Sequence, residues 1–233
     1  MQGRLYGVSV GPGDPELMTL KAVRVIRSCE VVAVPQSGAE TQVAWKIACE
    51  AVPEIFSKQK IDLLFPMTRD PGRLEACHTA AAAQIAEQLE KGKSVAFLTL
   101  GDVSIYSTYA YMQERIRALG FEAEMVAGVP SFCAVASRLG ISLTEAAKPL
   151  HIIPASYEGA DEGLDWNGVK VLMKTGKKIG QVKTALRERG LYQQARMVER
   201  CGMEGERILD SLDQADEASS YFSIIIAGER QPD

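Results

Sequence analysis

The sequence predicts an α/β fold in two parts, a mostly parallel N-terminal sheet followed by a mixed C-terminal sheet. Three observations predict it. Short apolar runs alternate with helical patterns through the first half. Three of those runs lead into Gly-containing turns that open helices: GPGDPE at 11–16, GDVSIYS at 101–107 and AGVPSF at 127–132. After the third turn the alternation breaks down, and the last three strand-like runs lack helices between them. The expected division is therefore an N-terminal α/β domain over 1–127 and a C-terminal α/β domain over 128–233.

The first apolar run, 5–10, enters GPGDPE, and a helical pattern over 15–28 leaves it, with Asp14 as N-cap and Pro15 in the first turn. Strands at 31–34 and 61–65 flank a helix over 40–51. A helix over 73–90 stops at Gly92 in EKGKS. The strand at 95–100 runs into the Gly-Asp turn, and the helix over 106–119 stops at Gly120 in ALGF. A strand at 123–126 completes the alternation. Beyond it come a helix at 131–139, strands at 152–155 and 169–173, and a helix at 180–189. Strands at 195–199, 207–210 and 221–227 end the chain. No low-complexity linker or internal repeat appears, so the two parts are expected to pack closely.

Composition narrows the function. The 233 residues are 46% hydrophobic and 24% charged, an ordinary globular balance with enough chain for a real core. No window approaches the roughly 20 apolar residues of a spanning helix, so no membrane role is expected. The start, MQGRLYG, runs straight into a strand, so no signal peptide is expected and the location is read as cytoplasmic. Cys29, Cys49, Cys77, Cys133 and Cys201 are scattered without a C-x-x-C pair, as reduced thiols would be. The net charge of −4 and a pI near 5.4 argue against a nucleic-acid partner. The densest basic stretches, KTGKK at 174–178 and RERG at 187–190, read as solvated helix ends.

GPGDPE fails both common phosphate-loop tests. A dinucleotide fingerprint needs a third glycine where Glu16 stands and an acid after the second strand, where AVPQSG has none. No G-x-x-x-x-G-K-[ST] string occurs. Pro12 and Pro15 remove two backbone donors, which suits a rigid wall better than a phosphate nest. In the second turn, Gly101 lets the chain reverse, and Asp102 is open to two roles, helix cap or ligand acceptor. Ser104, Tyr106, Ser107, Thr108 and Tyr109 cluster just after a strand's carboxyl end, where parallel sheets bind ligands. The turns hold few cations, which suits a ligand without a triphosphate, or one that is itself cationic.

VSVGPGDPELMTLKA, LTLGDVSIYS and AGVPSF, in that order and at those distances, resemble the tetrapyrrole methylase family across essentially the whole chain. Val103 stands where the family's G-D-P motif carries proline. The resemblance implies S-adenosylmethionine as methyl donor, held in a cleft between two α/β domains. It assigns Leu100, Gly101 and Asp102 to the donor's methionine part, Ile105 and Tyr106 to the same pocket, and Ser131, Phe132 and Met173 to the adenosine end. Cys201 and Ser223 are further cofactor carry-overs, and Pro12 is expected at the mouth, facing the tetrapyrrole. GPGDPELMTLKAVRVIRSCEVVAVP, LTLGDVSIYSTY and YFSIIIAG resemble the branch that methylates C-20 of precorrin-2 or its cobalt form, factor II, in cobalamin synthesis.

The resemblance implies a small-molecule tetrapyrrole substrate and a homodimer. The reacting ring carbon is electron-rich and needs little covalent help, so positioning can supply much of the rate. Asp102 and Tyr106 are the catalytic candidates, as acceptors of the proton that leaves C-20. Arg4, Lys21, Arg69 and Arg73 are candidate partners of the substrate carboxylates. No protein metal site is expected from His78 or His151, since any cobalt would arrive inside the ring. Other ring-position methyltransferases of the family remain alternatives. So do a non-catalytic tetrapyrrole or nucleotide carrier and an oxidoreductase with an atypical loop.

Overall fold

In the computed structural model, five strands form a wholly parallel sheet: β1 (Arg4–Ser9), β2 (Val31–Gln36), β3 (Gln59–Leu64), β4 (Val95–Thr99) and β5 (Glu122–Val126). Their order is β3-β2-β4-β1-β5. The structure describes residues 2–36, 42–68, 70–157, 159–216 and 219–228. Between the strands run α1 (Leu20–Ser28), α2 (Val43–Ala51), α3 (Pro71–Glu90) and α4 (Tyr109–Ala118). Side chains alternate along each strand, so every strand feeds two faces. Leu5, Val31, Ala33, Val95 and Phe97 pack with Ile85 and Leu89 of α3 and with Met112 and Ile116 of α4. Val8, Val32, Val34, Ala96 and Leu98 pack with Val25 and Ile26 of α1 and with Ile47 of α2. Burial on both faces requires near-continuous apolar strands, which VVAV at 31–34 and VAFL at 95–98 supply.

The chain divides into two compact units, Met1–Pro130 and Ser131–Asp233. The second unit opens with α5 (Ser131–Leu139) and continues with β6 (Leu150–Pro154), α6 (Ala160–Leu164), β7 (Val169–Met173) and α7 (Ile179–Glu188). It ends with β8 (Arg196–Glu199), β9 (Arg207–Leu209) and β10 (Ser223–Ala227). Its sheet has the order β6-β7-β10-β8-β9, with β6 and β7 parallel and the other pairs antiparallel. Leu172, Met197 and Ile225 form its centre with Ile179, Val182 and Leu186 of α7. The sheets are thus parallel and mixed, as the run of strands and helices implies.

Three helices differ from expectation. The helix expected over 15–28 is a 3-10 turn, Pro15–Leu17, followed by α1. Asp14 caps that turn as expected, accepting the Glu16 N–H at 2.8 Å, but Met18 and Thr19 are extended, and the Thr19 hydroxyl accepts the Ala22 N–H as a separate cap for α1. The helix expected from 106 starts at Tyr109 because Tyr106 has a φ of 50°, which no right-handed helix can include. Residues 40 and 41 of the helix expected over 40–51 lie outside the described residues, and α2 begins at Val43 after a left-handed Gln42.

Candidate functional site

The order β4-β1-β5 puts the carboxyl ends of three strands side by side, where open α/β sheets bind ligands. The turns that leave those ends are locked together. Gly101 donates its N–H to Gly11 O at 2.8 Å, joining the β1 turn to the β4 turn. Thr19 Oγ1 donates to Ala127 O at 3.3 Å, joining the β1 turn to the β5 turn. Asp102 joins the other two: Oδ2 accepts the Gly128 N–H at 2.7 Å, while Oδ1 accepts the Ser104 N–H at 2.8 Å and its hydroxyl at 2.5 Å.

Two glycines make this closeness possible. Gly101 has a φ of 71°, which a side chain would strain. At Gly128 a Cβ would lie 2.3 Å from Ser9 Cβ and 3.0 Å from Gly101 O. Ser9 and Thr99, register partners at the ends of β1 and β4, complete the frame. Ser9 Oγ accepts the Val103 N–H at 2.8 Å, and Thr99 Oγ1 lies 3.3 Å from Ser107 Oγ. Gly128 lies in the AGVPSF turn that the sequence marks, but neither Ser9 nor Thr99 stands out in the sequence. The available signal was that LYGVS and VAFLT end in a hydroxyl on the face where apolar residues had been pointing.

Burial alone would raise the Asp102 pKa, but the hydrogen bonds from Gly128 and Ser104 outweigh it and hold the carboxyl below its usual range. Asp102 is therefore ionised, with both oxygens engaged inside its own unit. It caps no helix, and its carboxylate instead ties two turns together. Burial pushes the Tyr106 phenol pKa up, so Tyr106 stays protonated at neutral pH. Leu100 and Ile105 are half-buried, and Tyr106 is exposed beside them. Pro12, expected at a mouth, is buried in the bend after Gly11.

In the second unit, Ser131 opens α5, half-buried, and Phe132 is buried beside it. Met173 ends β7, half-buried, and its carbonyl accepts the Ala155 N–H at 2.8 Å. Ser223 is fully enclosed and shares a 2.6 Å hydrogen bond with Thr175. Its hydroxyl secures the turn after Met173. Cys201 lies in the 200–206 turn against Glu206, which pairs with Arg138 of α5 at 2.6 Å. Lys174 is half-buried with a φ of 58°, and burial lowers its pKa. It is no solvated helix end, contrary to expectation. A groove of about 600 Å³ runs beside α7, lined by Tyr157, Asp161, Lys178 and Glu188 among others, and includes none of the expected site residues.

Of the cations expected to meet substrate, Arg4 pairs with Glu122 and Glu124. Lys21 and Arg73 are exposed, and Arg69 lies outside the described residues. His78 is buried and stacks on Tyr111 with ring centres 4.7 Å apart, and His151 Nε2 meets Asn167 O at 2.7 Å. Among the described residues no group of three or more His, Cys, Asp or Glu side chains is arranged to hold a metal, and no helix is long and apolar enough to cross a membrane.

The family model for Tetrapyrrole (Corrin/Porphyrin) Methylases matches residues 4–216. The chain is 30% identical to the cobalt-precorrin-2 C(20)-methyltransferase of Salmonella typhimurium, over 99% of this chain and 98% of that one. It is 29% identical to the precorrin-2 C(20)-methyltransferase of Sinorhizobium sp, over 96% and 94% of the two chains. The solved uroporphyrin-III C-methyltransferase of Thermus thermophilus, complexed with S-adenosylhomocysteine, shares its fold with a TM-score of 0.72 at 20% identity, over 97% of this chain and 98% of that one. On the family match and the full-length relatives, this chain belongs to the tetrapyrrole methylase family of S-adenosylmethionine-dependent methyltransferases.

Proposed function

We propose that this protein transfers a methyl group from S-adenosylmethionine to C-20 of precorrin-2 or of its cobalt form, in cobalamin biosynthesis. The observation that carries the proposal is the interlocked set of strand-end turns, in a chain whose full-length relatives are named C(20)-methyltransferases. Segments 11–19, 100–108 and 127–130 contain no Lys or Arg, so they fit a cationic donor and would leave a polyphosphate uncompensated. Leu100, Gly101 and Asp102 would hold the donor's methionine part, with Ile105 and Tyr106 lining the same pocket. Ser131, Phe132 and Met173 are assigned to the adenosine end by the family resemblance alone. Cys201, Ser223 and Pro12 shape the turns around them.

When bound, the donor supplies an electrophilic methyl group on a sulfonium. The contribution of this chain is orientation and exclusion of water. Orientation supplies up to roughly 7–11 kcal/mol in favourable cases, and a turn fixed at both Asp102 oxygens is suited to it. The Asp102 charge favours a cation nearby and disfavours anionic ligands. Tyr106, neutral at working pH, offers a hydroxyl to hydrogen-bond the ligand. With neither side chain a good base, the proton from C-20 passes to water or to the substrate's own carboxylates.

The test is calorimetry followed by turnover. S-adenosylmethionine and S-adenosylhomocysteine should bind, and NAD should not. Metal-free and cobalt-loaded precorrin-2, incubated with labelled donor, should show which ring gains a methyl at C-20. Donor binding without transfer to either ring would favour a carrier, and NAD binding in place of the donor would overturn the proposal. We further propose a homodimer, which light scattering at micromolar concentration checks, and a cytoplasmic location, in keeping with five free cysteines.

A further inference from the structure

Ser9 ends β1 on the face that also carries Leu5 and Gly7, and it is fully enclosed. A buried hydroxyl is retained at a cost unless it has a partner. Its partner is the Val103 N–H, at 2.8 Å from a residue 94 positions away. Val103 is 2% exposed, so solvent offers that N–H little relief. Val103 is also the second residue of the turn that Ile105 closes by donating to Asp102 O at 3.2 Å. The same Ser9 side chain faces Gly128 so closely that no Cβ fits there. One small side chain therefore touches both turns that Asp102 joins.

Resting on the donor site proposed above, we infer that Ser9 is a positioning residue of that site, holding the Asp102–Val103–Ser104 turn against the Gly128 turn through the backbone N–H of Val103. The second position of such a turn favours proline, which has no N–H to satisfy. Valine at 103 brings a buried donor, and Ser9 supplies the acceptor that this donor needs. The requirement for the Ser9 hydroxyl is thus created by the residue at 103. The two positions are coupled even though neither reaches the ligand through its side chain.

A double-mutant cycle tests this, with S-adenosylhomocysteine as probe, calorimetric affinity as the main readout and thermal unfolding alongside. Ser9→Ala should remain folded and bind roughly fivefold or more weakly, the effect of orphaning one buried N–H. Added to Val103→Pro, Ser9→Ala should change affinity by less than about twofold, because the donor is already gone. Equal losses in both backgrounds, or no loss in the first, overturn the inference. Amide exchange without ligand provides a reading independent of the proline variant. Ser9→Ala should speed exchange at Val103 and leave β1 amides protected, whereas uniform loosening overturns the inference. An unmodified protein that fails to bind the probe overturns the donor site and this inference with it. One that binds, with Ser9→Ala unchanged, overturns this inference alone.

Discussion

The Oδ2 atom of Asp102 accepts the backbone N–H of Gly128 at 2.7 Å, while Oδ1 of the same carboxylate accepts two donors from Ser104. Both oxygens must therefore be acceptors. An amide has only one. Asp102→Asn would turn an N–H₂ toward either Gly128 or Ser104, so it is not a neutral replacement. It should destabilise the protein by about 1–3 kcal/mol, the cost of a buried unsatisfied donor, and weaken S-adenosylhomocysteine binding. Urea unfolding and calorimetry on the same preparation check it. An Asp102→Asn protein with unchanged midpoint and affinity would show that the bridge to Gly128 does not matter.

Acid sensitivity follows from the same carboxylate. Its pKa is depressed in the folded state, so its stabilisation is fully present above the unfolded value, about 3.9. That stabilisation disappears as pH falls through the lower folded value. Asp102→Ala should therefore lose stability at neutral pH and show a flatter decline below about pH 4 than the unmodified protein. Parallel acid titrations of unfolding free energy would refute this.

Gly128→Ala should be far more damaging than an ordinary turn substitution. Its Cβ has no room against Ser9 Cβ at 2.3 Å, so the β5 turn must move away from Asp102. Overpacking of this kind costs roughly 1–3 kcal/mol, and donor affinity should fall with it. Gly140→Ala, where a Cβ would meet nothing within 4 Å but φ is 64°, separates the effects of space and backbone strain. It should lower stability with donor affinity retained. Equal loss of affinity in both variants would count against a site-specific role for Gly128.

His78 predicts a second pH dependence. Burial, with a smaller contribution from Arg115, lowers its pKa below the usual 6.5. The neutral form is thus favoured in the folded state. Its stabilisation is complete above about pH 6.5 and is lost as pH falls through the folded value. Between pH 7 and 5 the urea midpoint should decline, and His78→Phe, which preserves a ring against Tyr111, should flatten that decline. Identical slopes in the two proteins would rule it out.

Thr175 and Ser223 should behave as one unit. Each is enclosed, and their hydroxyls meet at 2.6 Å. Thr175→Val or Ser223→Ala should each cost about 1 kcal/mol by leaving the other hydroxyl unpaired. The double variant should cost less than the sum. Additive losses would mean that the hydrogen bond contributes nothing beyond packing.

The sequence by itself determined the elements and the kind of site. Strand and helix patterns repeat over a few residues, and the turns at Gly11, Gly101 and Gly128 announce themselves through local backbone chemistry. The run of motifs around them was enough to point to the family. Local signals also misled: apolar spacing carried the expected helix through Thr19, whose hydroxyl starts a new one, and back to Tyr106, whose left-handed backbone forbids it. Only the tertiary structure decided what joins the turns. The order β4-β1-β5 brings Ser9 to Val103 across 94 positions and Asp102 to Gly128 across 26. That order also makes Asp102 an anchor between two turns, because the Gly128 N–H that it accepts comes from the end of another strand. Residue type and spacing do not encode such partners. They exist only once strand pairing has placed the ends of separate strands together.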